Sequence, residues 1–154
     1  MRKHRDLDLD LTNAKVLQTK LQLTRLPEVA PSQRQDRYEV VIPGWLPIPL
    51  NLLMRGSLRQ RMRLEKKSHL IVGDACRAAG VAPALQRRKV SLSIGLGPGQ
   101  QEFDRDSPYK ALLDSLVGCG ALLTDRVSGV EIGYLEFYRT KQATTTLILE
   151  DWPV

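Results

Sequence analysis

The residues best suited to chemistry in this chain are three aspartates and one lysine in its second half. Asp104 and Asp106 stand just before a predicted helix, Lys110 lies one turn inside that helix, and Asp125 follows it after a short glycine-containing turn. Clustered carboxylates are the ligands that Mg²⁺ prefers, because this cation binds oxygen and keeps several waters. A neighbouring lysine suits phosphoryl chemistry, in which positive charge stabilises an oxyanion. This set therefore predicts a metal-dependent site that acts on a phosphate ester.

The spacing of these residues is compatible with a single site. In an extended chain, Asp104 and Asp106 point to the same side, and Asp106 lies at the helix start, where peptide N–H groups favour anions. Lys110 follows Asp106 by four residues, so it projects from the same helix face. A purely structural interpretation stays open, since an Asp before a helix is often only a cap and Lys110 can pair with Asp114 in solvent.

The N-terminal part of the chain differs in composition from the rest. Residues 1–37 are rich in charge and glutamine, and only Leu11–Leu26 shows helical spacing of apolar residues. The acids within Asp6–Asp10 are also spaced by two residues, but Thr12 stands where a lysine would be needed. We interpret this run as a solvated charged segment. Residues 1–37 are predicted to be an extension that is partly helical or disordered.

Residues 38–154 have the pattern of one compact domain. Runs rich in β-branched residues or with period-two alternation predict strands, and longer amphipathic runs predict helices. The predicted order is β-α-β-α-β-β, with strands at 38–42, 90–94, 130–138 and 144–150 and helices at 57–79 and 107–117. We expect an α/β (α+β) fold in which a mixed sheet of about four strands carries two helices on one face. The last two strands are predicted to form a hairpin through Thr140–Gln142.

Several boundaries of these elements follow from single residues. Ser57 is expected to cap the first helix and Gly80 to end it, while Ser107 and Pro108 are expected to be the N-cap and first position of the second. Residues 44–51 contain prolines that favour an extended loop. The first helix is expected to have one apolar side, formed by Leu58, Met62, Val72, Ala75, Cys76 and Ala79.

Positive charge recurs along the first predicted helix and just before it. Cations occur every fourth residue from Arg55 to Lys67, so they share one helix face, and only Glu65 interrupts them. Such a face is typical of surfaces that follow phosphates, although a merely solvated helix face is the alternative. The expected DNA contacts are Arg55, Arg59, Arg61, Arg63, Lys66, Lys67 and, in the preceding loop, Asn51.

The composition favours a polyanionic partner without proving one. The 154 residues carry a net charge of +6, with an isoelectric point near 9.6. Cys76 and Cys119 are too far apart in sequence to indicate a disulfide framework or a zinc site, and we expect both to be buried. The first 20 residues lack the apolar region of a signal peptide, and no run approaches the roughly 18 apolar residues that span a bilayer. We therefore expect a cytoplasmic protein with no membrane partner.

With these motifs in view, residues 38–150 resemble the RusA family of Holliday junction resolvases. That family carries an R-D-L-D-N-x-x-K pattern at the start of a helix and an L-D-D segment after it. Here residues 103–110 read F-D-R-D-S-P-Y-K and residues 123–125 read L-T-D. The departures of the chain from the family pattern include Phe103, Ser107 and Thr124.

The resemblance implies both a site and an activity. Asp104, Asp106 and Asp125 would bind Mg²⁺, with Mn²⁺ as a substitute, and Lys110 would neutralise the scissile phosphate or orient the attacking water. The implied protein is a homodimeric endodeoxyribonuclease that resolves Holliday junctions or related branched DNA in recombination and repair. The alternative is a catalytically inactive RusA-like protein that binds nucleic acid or another partner.

Overall fold

The computed structural model describes residues 25–152, and the predicted features between residues 1 and 24 lie outside this range. Its strands form one mixed four-stranded sheet in the order β1-β4-β2-β3, in which β4 is antiparallel to both neighbours and β3 is parallel to β2. The strands are β1 Arg37–Pro43, β2 Arg88–Leu96, β3 Val130–Arg139 and β4 Thr144–Asp151. The helices are α1 Leu50–Arg55, α2 Leu58–Ala78 and α3 Tyr109–Cys119. The predicted sheet and its two main helices are confirmed.

The hydrophobic core lies between one face of the sheet and the helices α2 and α3. In β1, Tyr38, Val40 and Ile42 are buried while their neighbours in the strand are exposed, which is the alternation expected of a strand covered on one face. The sheet residues at the core centre have almost no solvent exposure: Val40, Val90, Leu92, Ile94, Leu147 and Leu149. Helices α2 and α3 cover them with Val72, Cys76, Leu112 and Leu116.

The predicted hairpin between the last two strands is wrong, because β2 lies between β3 and β4. The connection passes over the end of β2, where the Thr140 N–H donates to the Leu96 carbonyl at 3.0 Å. Gly97 makes room for this crossing, since a Cβ there would lie 3.3 Å from the backbone nitrogen of Ala143.

The predicted apolar side of α2 is only partly correct. Val72 and Cys76 are buried, but Leu58 and Met62 are 74% and 61% exposed. Neither side chain belongs to the hydrophobic core or packs against it, so both remain in solvent. Ser57 caps the helix as predicted: its hydroxyl accepts from the Gln60 N–H, and the Gln60 side chain accepts from the Ser57 N–H.

Two other local predictions need correction. Helix α1 begins at Leu50, inside the segment predicted to be wholly extended, and Pro49 occupies its N-cap position. Helix α3 begins at Tyr109 with Pro108 at the N-cap and no side-chain cap. Ser107 does not cap α3, because its hydroxyl instead accepts a hydrogen bond from the Leu50 N–H.

The described part of the predicted extension contacts the domain. Leu26 is buried and its N–H donates to the Cys119 carbonyl at 2.9 Å. Arg34 donates to the Pro83 carbonyl at 2.8 Å. Between residues 25 and 152, no helix combines the length and the apolar character that a membrane crossing requires.

Cys76 and Cys119 are both buried free thiols, as expected. A hydrogen bond with Cys119, together with burial, raises the pKa of Cys76 well above its ordinary value. Because the thiolate is the reactive form, Cys76 is expected to be inert near neutral pH.

A fully buried arginine joins β2 to β4 and to the segments that follow α2 and α3. The Arg88 side chain has no solvent exposure, and its Nε donates to the Asp151 carboxylate at 2.8 Å. Its Nη1 donates to the carbonyls of Ala82 at 2.8 Å and Ala121 at 2.9 Å. The guanidinium carbon lies 5.2 Å from the centre of the Tyr38 ring. These contacts satisfy most of the polar groups of a charge that is removed from water.

We predict that Asp151→Ala lowers the free energy of unfolding by about 3 kcal/mol, because it leaves the buried Arg88 charge without its counter-ion. The matched control is Glu150→Ala in the same strand. Glu150 pairs with Arg37 and Lys89 at 3.8 and 3.9 Å in partly exposed positions, and such pairs contribute less than about 1 kcal/mol. Urea unfolding of both variants measures the difference, and equal losses would contradict the central role of Arg88.

Candidate functional site

Asp104 and Asp106 lie on an exposed turn immediately before α3. The turn is closed by the Ser107 N–H, which donates to the Asp104 carbonyl at 2.9 Å. The Ser107 carbonyl and hydroxyl both accept from the Leu50 N–H, at 2.9 and 3.1 Å. The acidic turn is therefore joined directly to the first residue of α1.

A cavity of about 300 Å³ lies between this turn and β3. Arg105, Asp106 and Tyr109 line one side, and residues 132–135 line the other. The cavity thus places a carboxylate, a guanidinium and a phenol around one space beside the predicted metal-binding turn.

A β-bulge in β3 shapes the far wall of this cavity. The register between β2 and β3 shifts next to Ser91, and the Tyr134 N–H donates to the Ser91 hydroxyl at 3.3 Å. A larger residue at position 133 would force Ser91 to move, because a Cβ there would lie 2.0 Å from the Ser91 hydroxyl oxygen. The bulge brings Tyr134 to the cavity wall, where it is 49% exposed.

Tyr109 has an unusual environment in this cavity. Its hydroxyl is buried and has no hydrogen-bond partner within residues 25–152. Burial raises the pKa of Tyr109 above its usual value, the carboxylate of Asp106 raises it further, and the guanidinium of Arg105 opposes both. The phenol therefore stays protonated to a higher pH than a free tyrosine does.

Lys110 is exposed in the first turn of α3 and pairs with Asp114, with Nζ and Oδ2 3.3 Å apart. This is the solvent pair that the sequence left open as an alternative. Exposed pairs of this kind contribute less than about 1 kcal/mol, so Lys110 can exchange Asp114 for another anion at little cost.

Asp125 is exposed in the loop between α3 and β3. The chain reverses after α3, since the Leu122 N–H donates to the Leu116 carbonyl at 3.1 Å. Across residues 25–152, however, no group of three or more His, Cys, Asp or Glu side chains is placed to hold a metal ion.

The predicted cations do not all share one helix face, because Gly56 and Ser57 separate Arg55 on α1 from the cations of α2. Among the residues predicted to contact DNA, Arg61 differs, because it is partly buried and its Nε lies 3.1 Å from Glu65. Asn51 is exposed in the first turn of α1. The other predicted residues are exposed and make no ion pair with any residue between 25 and 152: Arg55, Arg59, Arg63, Lys66 and Lys67.

A groove of about 450 Å³ separates α1 from α2. Two of the unpaired cations lie in it beside apolar side chains and one amide, and its lining is Leu52, Arg55, Gly56, Gln60, Arg63 and Leu64. Sequence patterns did not indicate Leu52, Gln60 and Leu64 here, nor Arg105, Tyr109 and Tyr134 around Asp106. The one usable signal was Gly133 within a strand pattern, which indicates a bulge or a close approach.

Comparisons with known proteins do not assign the chain to a family. No family model matches it, and no curated protein matches it significantly. The RusA-like character of the motif therefore stays a prediction from its residues.

The raised pKa of Tyr109 predicts a pH dependence of stability. The neutral phenol contributes stability that is fully present below its ordinary pKa of 10.0 and is lost as the pH rises through the higher folded pKa. In Tyr109→Phe, the free energy of unfolding should therefore fall less steeply above pH 10 than in the wild type. The exposed Tyr138→Phe is the control, and parallel alkaline profiles for wild type and Tyr109→Phe would contradict the assignment.

Proposed function

We propose that this protein is a Mg²⁺-dependent endonuclease that hydrolyses phosphodiester bonds in branched DNA, such as four-way junctions. The observation that carries the proposal is that the helices with the cationic surface contact the acidic turn. The unpaired cations of α1 and α2 extend from Arg55 to Lys67, and α1 is joined to the Asp104–Ser107 turn through the Leu50 N–H. DNA bound on this surface would pass close to exposed carboxylates.

The carboxylates have the right chemistry for Mg²⁺, but the structure does not gather three acids around one point. Mg²⁺ is commonly held by one or two carboxylates, several waters and the phosphates of the substrate. We therefore propose that Asp104 and Asp106 provide the first protein ligands and that Asp125 joins them when DNA is bound. A metal bound there would activate a water and stabilise the leaving oxygen.

The remaining residues bind and orient the DNA. The cations of α2 neutralise phosphates and fix the register of the backbone. Lys110 leaves Asp114 and neutralises charge at the scissile phosphate. Two symmetric nicks in a four-way junction require two sites related by a two-fold axis, so we propose a homodimer as the active form.

A second candidate is a protein that binds branched DNA without cutting it. It is favoured by the Lys110–Asp114 pair and by the lack of a three-acid group among the described residues. The two candidates differ in one measurement: a synthetic four-way junction is incubated with and without Mg²⁺, beside a linear duplex. Mg²⁺-dependent nicking of the junction supports the nuclease, whereas binding without nicking supports the second candidate.

We predict that Asp106→Asn reduces junction cleavage at least about a hundredfold, because it removes a charged ligand from a site that stabilises developing charge, and that junction binding is retained or tightened. Asp114→Asn is the matched control: it makes the same change one helical turn beyond Lys110 and should leave cleavage within about threefold of wild type.

Gel assays of nicking and binding, with thermal unfolding of each variant, measure these effects. Loss of folding in Asp106→Asn, or an equal loss of cleavage in Asp114→Asn, would contradict the assignment of Asp106 to the site.

We also predict that Arg59→Ala lowers the salt dependence of DNA binding. Each phosphate contact that is lost should reduce the slope of log K against log salt concentration by about 0.9. Arg77→Ala serves as the control on the same helix, because Arg77 lies in the last turn of α2, about 27 Å along the helix axis from Arg59. Fluorescence anisotropy at several salt concentrations gives both slopes, and identical slopes for the two variants would exclude a phosphate contact at Arg59.

A further inference from the structure

We propose that the groove between α1 and α2 binds an unpaired nucleobase of the nucleic acid held on the cationic surface. This inference rests on the proposed DNA binding but not on cleavage. The groove has about 450 Å³ of space and opens on the surface that carries the unpaired cations. It differs from the Asp106 cavity in position and in lining.

The walls of the groove suit the faces of an aromatic base. Leu52, which is 50% exposed, lines the groove from α1, and Leu64 lines it from α2. An exposed leucine in a short helix contributes little to folding, and apolar surface gains free energy only when it is covered. The faces of a base that has left the stack are apolar and have the same requirement.

One amide is already oriented at the edge of the groove. The Gln60 Oε1 accepts from the Ser57 N–H at 3.0 Å, which fixes the orientation of the side chain. Its Nε2 therefore remains available as a donor. Every nucleobase presents a ring nitrogen or a carbonyl that accepts a hydrogen bond. An abasic residue has no such group.

The charges around the groove favour a nucleic acid as its occupant. Arg55 and Arg63 line the groove and make no ion pair with any residue in the range 25–152. They can bind the phosphates on either side of a displaced base. An acidic peptide would satisfy the same charges. A nucleic acid is favoured because α1, which lines the groove, is also hydrogen-bonded through Leu50 to the acidic turn of the proposed cleavage site.

This arrangement would give the protein selectivity for DNA structure. A paired duplex keeps its bases stacked and offers the groove only phosphates. Branch points, bulges and single strands expose bases at a lower unstacking cost. Occupation of the groove would therefore distinguish branched or distorted DNA from a linear duplex.

The test compares three short DNA duplexes without Mg²⁺: one fully paired, one with a single bulged 2-aminopurine, and one with an abasic residue at the same bulge. Wild-type protein should bind the 2-aminopurine bulge about tenfold more tightly than the abasic bulge, because the base and the leucines cover each other's apolar surface, and the 2-aminopurine fluorescence should change on binding. The abasic DNA keeps the same phosphates and bend, so this ratio isolates the base.

Two exposed leucines provide the matched variants. Leu52→Ser should lower the ratio between the two bulges to about twofold or less, because it removes one wall of the groove. Leu58→Ser, at a position outside the groove with 74% exposure, should keep the wild-type ratio. Both sites are solvent-exposed, so neither change should alter the unfolding midpoint.

The outcomes separate this inference from the proposed function. The base site is contradicted if the wild type binds the two bulges equally. It is also contradicted if Leu52→Ser and Leu58→Ser have equal effects. Neither result bears on the cleavage of four-way junctions. If Leu52→Ser instead converts a dimer to a monomer and leaves the ratio unchanged, the groove is an interface between copies and the base site falls. If the protein keeps the tenfold preference for the 2-aminopurine bulge but never nicks DNA, the base site is supported and the proposed nuclease activity is contradicted.

Discussion

The buried guanidinium of Arg88 is the constraint on which the rest of the structure depends. A charge removed from water costs several kcal/mol unless it is paired and hydrogen-bonded, so its partners must hold their positions. Asp151 fixes the end of β4, and the carbonyls of Ala82 and Ala121 fix the segments that follow α2 and α3. Because Ala121 begins the loop that leads to Asp125, the same interaction determines where that loop leaves the core. The position of one candidate site residue thus depends on an interaction within the core.

The surface of α1 and α2 differs from the core, because many of its side chains do not stabilise the fold. Unpaired cations and exposed apolar side chains lie together on α1 and α2, where Met54 and Leu58 are 67% and 74% exposed. Like charges repel and exposed apolar groups gain nothing from folding. A polyanion with exposed bases would relieve both costs at once. The two hydrogen bonds from the Leu50 N–H to Ser107 connect that surface to the acidic turn.

Local sequence rules predicted the elements whose cause is local. The alternation from Arg37 to Pro43 follows from burial on one face, and the Ser57 cap follows from backbone groups a few residues away. Features set by distant residues were not predictable in this way. The burial of Arg88 depends on carbonyls supplied by other segments, and the diversion of Ser107 to Leu50 depends on how α1 packs. The candidate site likewise has local and non-local features. The cations at every fourth residue were evident from the sequence, whereas the spatial relation of Asp125 to the acidic turn depends on tertiary structure.

We propose that one divalent ion joins the acidic turn to the Asp125 loop when DNA is bound. Paramagnetic broadening by Mn²⁺ tests it most directly, with backbone amide signals followed by NMR in the presence of an uncleavable four-way junction. We predict that the amides of Asp104, Asp106 and Asp125 broaden together at substoichiometric Mn²⁺, and that Asp106→Asn abolishes the effect at all three. Broadening confined to one of the two segments, or unchanged by that substitution, would contradict a shared metal site.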